Sequence, residues 1–235
     1  MNLIGLDISK VSTAMVIETN NKEYLFSYNT KSPTYKWNKL IQDLVNIKTY
    51  TYIKEEEYSK SEISKLTQFV NISNDIISDI LSTIDIKQET TIYIEGYSYG
   101  RDPGPIIDLV GIGSIVRGKI LENIPYIKEI KIVSPKKLKV LSCELCYGSK
   151  MVQKGVRKIK IEKVINTNNN GKKGGDFDKH DMCQAILDSE REYILGDFLR
   201  ENYDEVIGMK SFPKPLEDLD DAWWAKECIN PQIES

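Results

Sequence analysis

The sequence predicts an α/β protein: a mixed sheet of three antiparallel strands and two parallel strands, flanked by helices. Three observations carry this. Three short β-rich runs follow one another between Leu3 and Tyr28, two later β-rich runs are set apart by stretches of helical period, and helices close the chain.

The first strands are Leu3 to Ile8 and Thr13 to Glu18, separated by the polar turn Ser9-Lys10-Val11-Ser12, and Glu23 to Tyr28 adds a third. Consecutive strands joined this closely pair antiparallel. From Thr30 to Tyr58 the pattern is irregular, with Tyr35, Trp37, Tyr50 and Tyr52 and the acidic Glu55-Glu56-Glu57; it predicts one short helix over Trp37 to Val45 and a loop. Ile63, Leu66, Phe69, Val70, Ile76, Ile77, Ile80, Leu81 and Ile84 then recur mostly three or four apart after the cap candidate Ser61, which predicts a long amphipathic helix on the sheet. Thr91 to Ile94 is a β-branched and aromatic run too short for a helix, so it reads as a buried central strand, and it ends on Glu95. After the turn-rich Gly96 to Pro105, Ile106 to Leu121 reads as a helix whose Gly111, Gly113, Ser114 and Gly118 allow close packing. Ile127 to Val133 is the fifth strand, and Ser134-Pro135 caps a short helix from Lys136 to Leu141. Gly148 to Gly175 is a basic stretch ending in low complexity, and helices follow over Asp178 to Glu190 and Leu219 to Cys228.

With 235 residues, 40% of them hydrophobic, the chain can bury a substantial core, which excludes a disordered protein or a small disulfide scaffold. It reads as one domain over 1–235 with insertions at about 30–58 and 148–175. No stretch approaches the roughly 18 apolar residues of a membrane span, and the N-terminus reads as a strand rather than a cleavable signal. Four cysteines fit a reducing compartment, so a cytoplasmic protein is expected.

A net charge of -3 argues against a polyanion partner until its distribution is read. Between Pro135 and Gly175 stand eleven lysines and arginines against two glutamates, a net +9, which leaves -12 for the remainder. Such a polarised chain suits an enzyme that grips phosphates with one surface and cuts with metals held elsewhere.

The acidic side has a pattern. Asp7 directly follows the apolar Leu3-Ile4-Gly5-Leu6, and Glu95 follows Ile92-Tyr93-Ile94, so both emerge from strands apolar enough to be neighbours at a sheet centre. Asp218 and Asp221 are three apart and share one face of a helical turn. Four converging carboxylates repel one another and need a compensating charge; magnesium or manganese, hard ions that prefer oxygen, supply it. Asp220 is a competing acid, and Asp178 and Asp181 form a second pair at the same spacing. The pair at the start of the last helix is preferred.

In order along the chain, GLDISKVSTAMVI, IYIEGYSYG, GPIIDLVGIGSIVRGKI, KIVSPKKLKVL and KPLEDLDDAWWAKEC resemble the RuvC-type Holliday junction resolvases, especially forms from phages and large DNA viruses. The resemblance covers most of the chain outside the two insertions. It implies a ribonuclease H-like fold, a homodimer, and two-metal hydrolysis of phosphodiesters in four-way DNA that leaves 5′-phosphate and 3′-hydroxyl ends. Matched position by position, Asp7, Glu95, Asp218 and Asp221 are the implied catalytic and metal-binding residues, with two Mg2+ ions per site and Mn2+ as a substitute. A phage or viral source would place the protein in the host cytoplasm.

Lys136, Lys137 and Lys139 follow the fifth strand and are candidates for backbone phosphates, as are Lys154, Arg157 and Lys158 in the basic stretch. Tyr97, Tyr99 and Arg101 follow Glu95, where related resolvases place an aromatic that wedges into the junction; the competing reading of either tyrosine is a loop residue packed on the protein. Cys143, Cys146, His180 and Cys183 have the spacing of a structural zinc site, but small thiols facing a core near a helix end are the stronger reading. Two other functions compete. A ribonuclease H acting on RNA-DNA hybrids would use the same carboxylates, and an actin or sugar-kinase type ATP-binding protein would need an Asp-Gly phosphate loop and a Gly-rich adenosine motif that the sequence does not offer.

Overall fold

The computed structural model describes residues 1–52, 55–97, 103–147, 151–154, 158–161, 179–188, 193–206 and 213–228; for 103–105, 144–147, 151–154 and 158–161 the description is of the backbone. The chain divides into two compact units, Met1–Ser134 with Lys214–Asn230, and Pro135–Pro213 with Pro231–Ser235.

The first unit holds the sheet. Strands β1 (Asn2–Asp7), β2 (Ser12–Thr19) and β3 (Lys22–Asn29) form an antiparallel meander, and β5 (Thr90–Glu95) and β6 (Ile127–Val133) run parallel to β1 on its other side. A sixth strand, β4 (Val45–Thr49), pairs parallel with β3, giving the order β4-β3-β2-β1-β5-β6. Three antiparallel strands joined through β1 to two parallel ones is the mixed sheet the sequence predicts, with β4 added at its edge.

The β2–β3 hairpin is closed by Asn20 and Asn21 at φ 51° and 59°. Two successive positive φ values make the two-residue turn whose twist matches the flanking strands, and asparagine tolerates them. At the other end, the β1–β2 turn is tied by side chains: Ser9 Oγ donates to the Ser12 carbonyl at 2.6 Å, and Thr13 Oγ1 donates to the Ser9 carbonyl at 2.9 Å. That turn fixes the backbone immediately after Asp7.

The segment 30–58 departs from the expectation of one helix and a loop. Helix α1 (Lys36–Ile41) buries Trp37 and Ile41, and β4 follows it into the sheet. Parallel pairing of β4 with β3 needs a crossover of about a dozen residues, which α1 and its flanks provide. Helix α2 (Tyr58–Thr83) starts before Ser61; the residue at its N-cap is Glu57, with no side-chain cap. Helix α3 is Pro103–Asn123.

Alternation along β1 divides the layers. Ile4, Leu6 and Ile8 join Met15, Ile17, Ile92 and Ile94 in a core closed by Phe69, Ile72, Ile76 and Ile80 of α2 and Ile112, Val116 and Ile120 of α3. Gly5 and Asp7 point to the opposite face, which is covered by helix α8 (Leu216–Glu227). The glycines of α3 serve this packing unequally: a Cβ at Gly111 would meet Phe69 at an ordinary 3.5 Å, and one at Gly118 would meet nothing within 4 Å.

The second unit contains α4 (Pro135–Tyr147), the antiparallel pair β7 (Met151–Lys154) and β8 (Lys158–Ile161), and helices α5 (Lys179–Asp188), α6 (Ile194–Glu201) and α7 (Tyr203–Val206). The strand pair lies where the sequence predicts only a basic insertion. The low-complexity end of that insertion, Asn166 to Gly175, is outside the described residues. No described helix is long and apolar enough to cross a membrane.

Candidate metal centre

Strand geometry places the first two carboxylates. Leu6 of β1 stands opposite Ile94 of β5 in a parallel register, so Asp7 and Glu95 are the next residues along neighbouring strands, at the C-terminal ends of two interior strands of the sheet. The ladder continues past Glu95, where Gly96 N–H donates to the Val133 carbonyl at 2.7 Å. The third carboxylate arrives from α8. Asp7, Glu95 and Asp221 each offer an oxygen, and these three atoms lie within 4.8 Å of one another. Among the described residues this is the acidic or thiol-bearing set close enough to share an ion.

Two features bring α8 this near. Gly5, two residues before Asp7 on the same face, leaves room for the helix: an added Cβ would stand 2.6 Å from Lys226 N and 2.9 Å from Lys226 Cβ, and nearer still to the Ala222 carbonyl oxygen. Ala222, which faces Gly5, and Ala225 on the same helix are also small and buried. At the far end of α8 the fully buried Lys226 Nζ meets Glu18 at 2.8 Å and Glu23 and Glu227 at 3.1 Å each. Trp223 Nε1 donates to the same Glu23 oxygen at 3.0 Å. Burial works against the Lys226 charge, but Glu227, Glu23 and Glu18 outweigh it and hold the ammonium protonated well above the usual lysine range. Glu18 and Glu23 flank the β2–β3 hairpin, so this network latches the helix to the sheet.

Asp218 lies one turn before Asp221, with its side chain 1% exposed. Its Oδ1 accepts a hydrogen bond from Lys214 Nζ, and its Oδ2 is buried without a hydrogen-bond partner among the described residues. The electrostatics are those of a crowded anionic site. Burial, then Glu95, Asp218 and Asp221, raise the Asp7 carboxyl well above its ordinary pKa, and Lys214 pulls it partly back. A buried acceptor without a donor, an acid resisting ionisation beside three others, and a donor set made wholly of oxygen fit a hard divalent cation.

The remaining candidates are distributed as follows. Asp220 is buried on α8, about 200° around the helix from Asp218, and is not in the three-oxygen set. Asp181 is buried in α5 of the second unit; Asp178 lies outside the described residues. Tyr97 rests on α3, where Gly113 leaves room for its hydroxyl; Arg117 donates to that hydroxyl and places its guanidinium 5.1 Å from the ring centre. Tyr99, Arg101 and Arg157 are outside the described residues, and Lys154 and Lys158 are described as backbone of β7 and β8. On α4, Lys136 and Lys137 are exposed and Lys139 is half-buried. Cys143 and Cys183 are fully buried, His180 is half-buried, and the Cys146 side chain is outside the description.

Three residues escape the sequence reading: Gly5, Lys214 and Lys226. Gly5 had a usable signal, since strand alternation puts it on the Asp7 face. Lys214 stands four residues before Asp218, a spacing at which helix ion pairs form. Nothing local marks Lys226, because its partners are some 200 residues away.

No family model and no curated protein matches the chain. Among solved structures it is similar to Thermus thermophilus RuvC in complex with a Holliday junction substrate (8% identity, 96% of this chain and 91% of that one, TM-score 0.42). It is also similar to Thermus thermophilus RuvC (10%, 96% and 92%, 0.41) and to the yeast mitochondrial Holliday junction resolvase Ydc2 (12%, 95% and 75%, 0.46).

Proposed function

We propose that this chain is a metal-dependent endonuclease that resolves four-way or other branched DNA junctions. The observation that carries the reading is the convergence of Asp7, Glu95 and Asp221 oxygens within 4.8 Å at the C-terminal ends of two interior strands of a ribonuclease H-like sheet, with Asp218 beside them. The choice of branched DNA comes from the ordered set of segments that resemble resolvases.

Asp7, Glu95, Asp218 and Asp221 would hold two Mg2+ ions, or Mn2+ in their place. Bound there, such a pair lowers the pKa of an attacking water and stabilises the leaving 3′-oxygen. The chain's own part is positional. Asp7, whose carboxyl is influenced by Glu95, Asp218 and Asp221 alike, would be the central ligand of the set. Burial and the neighbouring acids make this carboxyl resist ionisation, and a bound cation would offset that resistance. None of these residues needs to form a bond to phosphorus, so the products are 5′-phosphate and 3′-hydroxyl ends that a ligase can seal.

Phosphate contacts fall to Lys136, Lys137 and Lys139 of α4 and to Lys154, Arg157 and Lys158 of the basic insertion. Tyr97, Tyr99 and Arg101 extend the contact on the Glu95 side. The protein works as a homodimer in the cytoplasm, that of the host if it is encoded by a phage or virus. Support for self-association comes from α3, where Ile107, Val110 and Leu121 are 70%, 41% and 68% exposed along one face.

The test is cleavage of labelled four-way junction, flap, duplex and RNA-DNA hybrid in Mg2+ and in EDTA, on protein whose mass in solution is measured by light scattering. The expected result is Mg2+-dependent, ligatable nicking of the junction. Preferential cleavage of the hybrid would replace this reading with a ribonuclease H, and no cleavage of any substrate would remove it.

A further inference from the structure

We infer that Lys214 is the resident counterion of the carboxylate centre: in the metal-free protein its ammonium holds Asp218, and a divalent cation must displace it to use that carboxylate. The inference rests on the proposed metal centre and adds to it a competitor built into the chain.

Lys214 precedes Pro215, the N-cap residue of α8, and its side chain turns back over the first helical turn. There Nζ pairs with Asp218 Oδ1 and lies 3.8 Å from Glu217 Oε2. Its charge also reaches Asp7, where it is the influence that opposes the three acidic neighbours. Lys214 thus stands where the ion's charge is needed.

Exposure decides which partner can leave. The Asp218 side chain is 1% exposed and rides on a helix seated against the sheet, so its position is set by the fold. The Lys214 side chain is 39% exposed, on a flexible four-carbon stem outside the helix, so it can withdraw to water at little cost. Asp218 Oδ2, buried and lacking a hydrogen-bond partner among the described residues, shows that one ammonium does not satisfy this carboxylate. A divalent ion brings twice the charge and several coordination positions. Two cations on one carboxylate repel, so occupancy by Lys214 and by the ion are negatively coupled, and such coupling runs typically from about 5- to 150-fold.

The experiment is calorimetric titration of Mn2+ into the EDTA-stripped full-length protein, for wild type, Lys214→Gln, Lys214→Arg, Asp218→Asn and the double variant Lys214→Gln with Asp218→Asn. Lys214→Gln should bind Mn2+ on the order of tenfold more tightly than wild type. Lys214→Arg, which keeps the charge, should match wild type. In the Asp218→Asn background the Lys214→Gln change should have no further effect. In EDTA, Lys214→Gln should melt below wild type, and saturating Mn2+ should raise its Tm by more. If this variant folds only with metal, its affinity is read by chelator competition from the loaded protein. Equal or weaker Mn2+ binding by Lys214→Gln, with wild type binding normally, overturns the inference and leaves the metal centre standing. Failure of wild type to bind Mn2+ at all overturns the metal centre, and the role of Lys214 with it.

Discussion

Substituting Gly5 by alanine tests whether contact between β1 and α8 builds the centre. The added Cβ would lie 2.6 Å from Lys226 N, against the 3.4 Å at which ordinary contact begins. β1 is paired on both edges, to β2 and β5, and cannot yield, so α8 must withdraw by at least about 0.8 Å. Asp221, adjacent to Ala222 on that helix, moves with it. Metal-ligand distances tolerate only about 0.2 Å, and a misplacement of about 1 Å typically costs about 100-fold in rate. Overpacking of this kind costs about 1 to 3 kcal/mol, roughly 3 to 10 °C of Tm for a chain of this size. The assay is Mn2+ affinity, junction cleavage rate and Tm for Gly5→Ala beside Gly196→Ala. At Gly196 in α6 the new Cβ would meet the mobile end of Arg200 at 3.4 Å, and the change should be neutral or stabilise by up to about 1 kcal/mol. Wild-type affinity and Tm in Gly5→Ala would refute the argument, because they would mean that α8 is not seated on β1 at that residue.

Four further outcomes are expected. Asp7→Asn and Glu95→Gln should each abolish Mg2+-dependent cleavage while leaving junction binding intact in a gel-shift assay. Lys226→Met should destabilise by about 3 kcal/mol, the low end for breaking a buried ion pair because Glu18 is 32% exposed, and the shift should show in the urea midpoint with unchanged slope. Because the Asp7 carboxyl is raised above its unfolded value of 3.8, protonation of this group favours the metal-free native state. The Asp7 contribution to stability, read as the difference between wild type and Asp7→Asn, should therefore decline as pH rises from about 4 through the native pKa, and saturating Mn2+ should reverse the decline of wild type in a melting series. Replacing Lys154, Arg157 and Lys158 with alanine should flatten the logarithmic salt dependence of junction binding by about 2 to 3 units, and parallel lines for mutant and wild type would remove the insertion from the DNA surface.

The parts of this molecule legible in sequence are those set by short-range pattern. Five strands announce themselves by β-branched runs with turns at either end, and α2 by a stripe of isoleucines. Asp7 and Glu95 were legible as partners because each ends an apolar strand, and parallel neighbours that end together put their last residues side by side. What escaped was decided by tertiary context. VNIKT alternates β-branched Val45, Ile47 and Thr49 with polar residues, but it is only five residues long within an irregular stretch; it becomes a strand because β3 offers an open edge and α1 carries the chain back to it. The capping reading at Ser61 failed because α2 runs one further turn toward its N-terminus than the apolar stripe requires.

The same distinction explains why the spacing of the α8 acids shows in the sequence and the seating of the helix does not. Asp218 and Asp221 show in sequence as a spacing, but what makes them a site is the seating of a twelve-residue helix, about 18 Å long, at three points. Its first turn carries Asp218, where the positive end of the helix dipole favours a carboxylate and Lys214 adds a full charge. Its middle passes over Gly5, and its last turn carries Lys226 into three glutamates. The acid at one end repels its neighbours at the strand ends, while the latch at the other end attracts. A helix held only by its apolar face could relieve the repulsion by sliding or tilting. The lysine latch and the glycine notch remove that freedom, so the crowding of Asp7, Glu95, Asp218 and Asp221 persists in the folded state and is available to a cation. Lys226 thus supports the carboxylate cluster from the opposite end of α8 without touching it, and on the proposed reading loosening that latch should weaken Mn2+ binding as well as the fold.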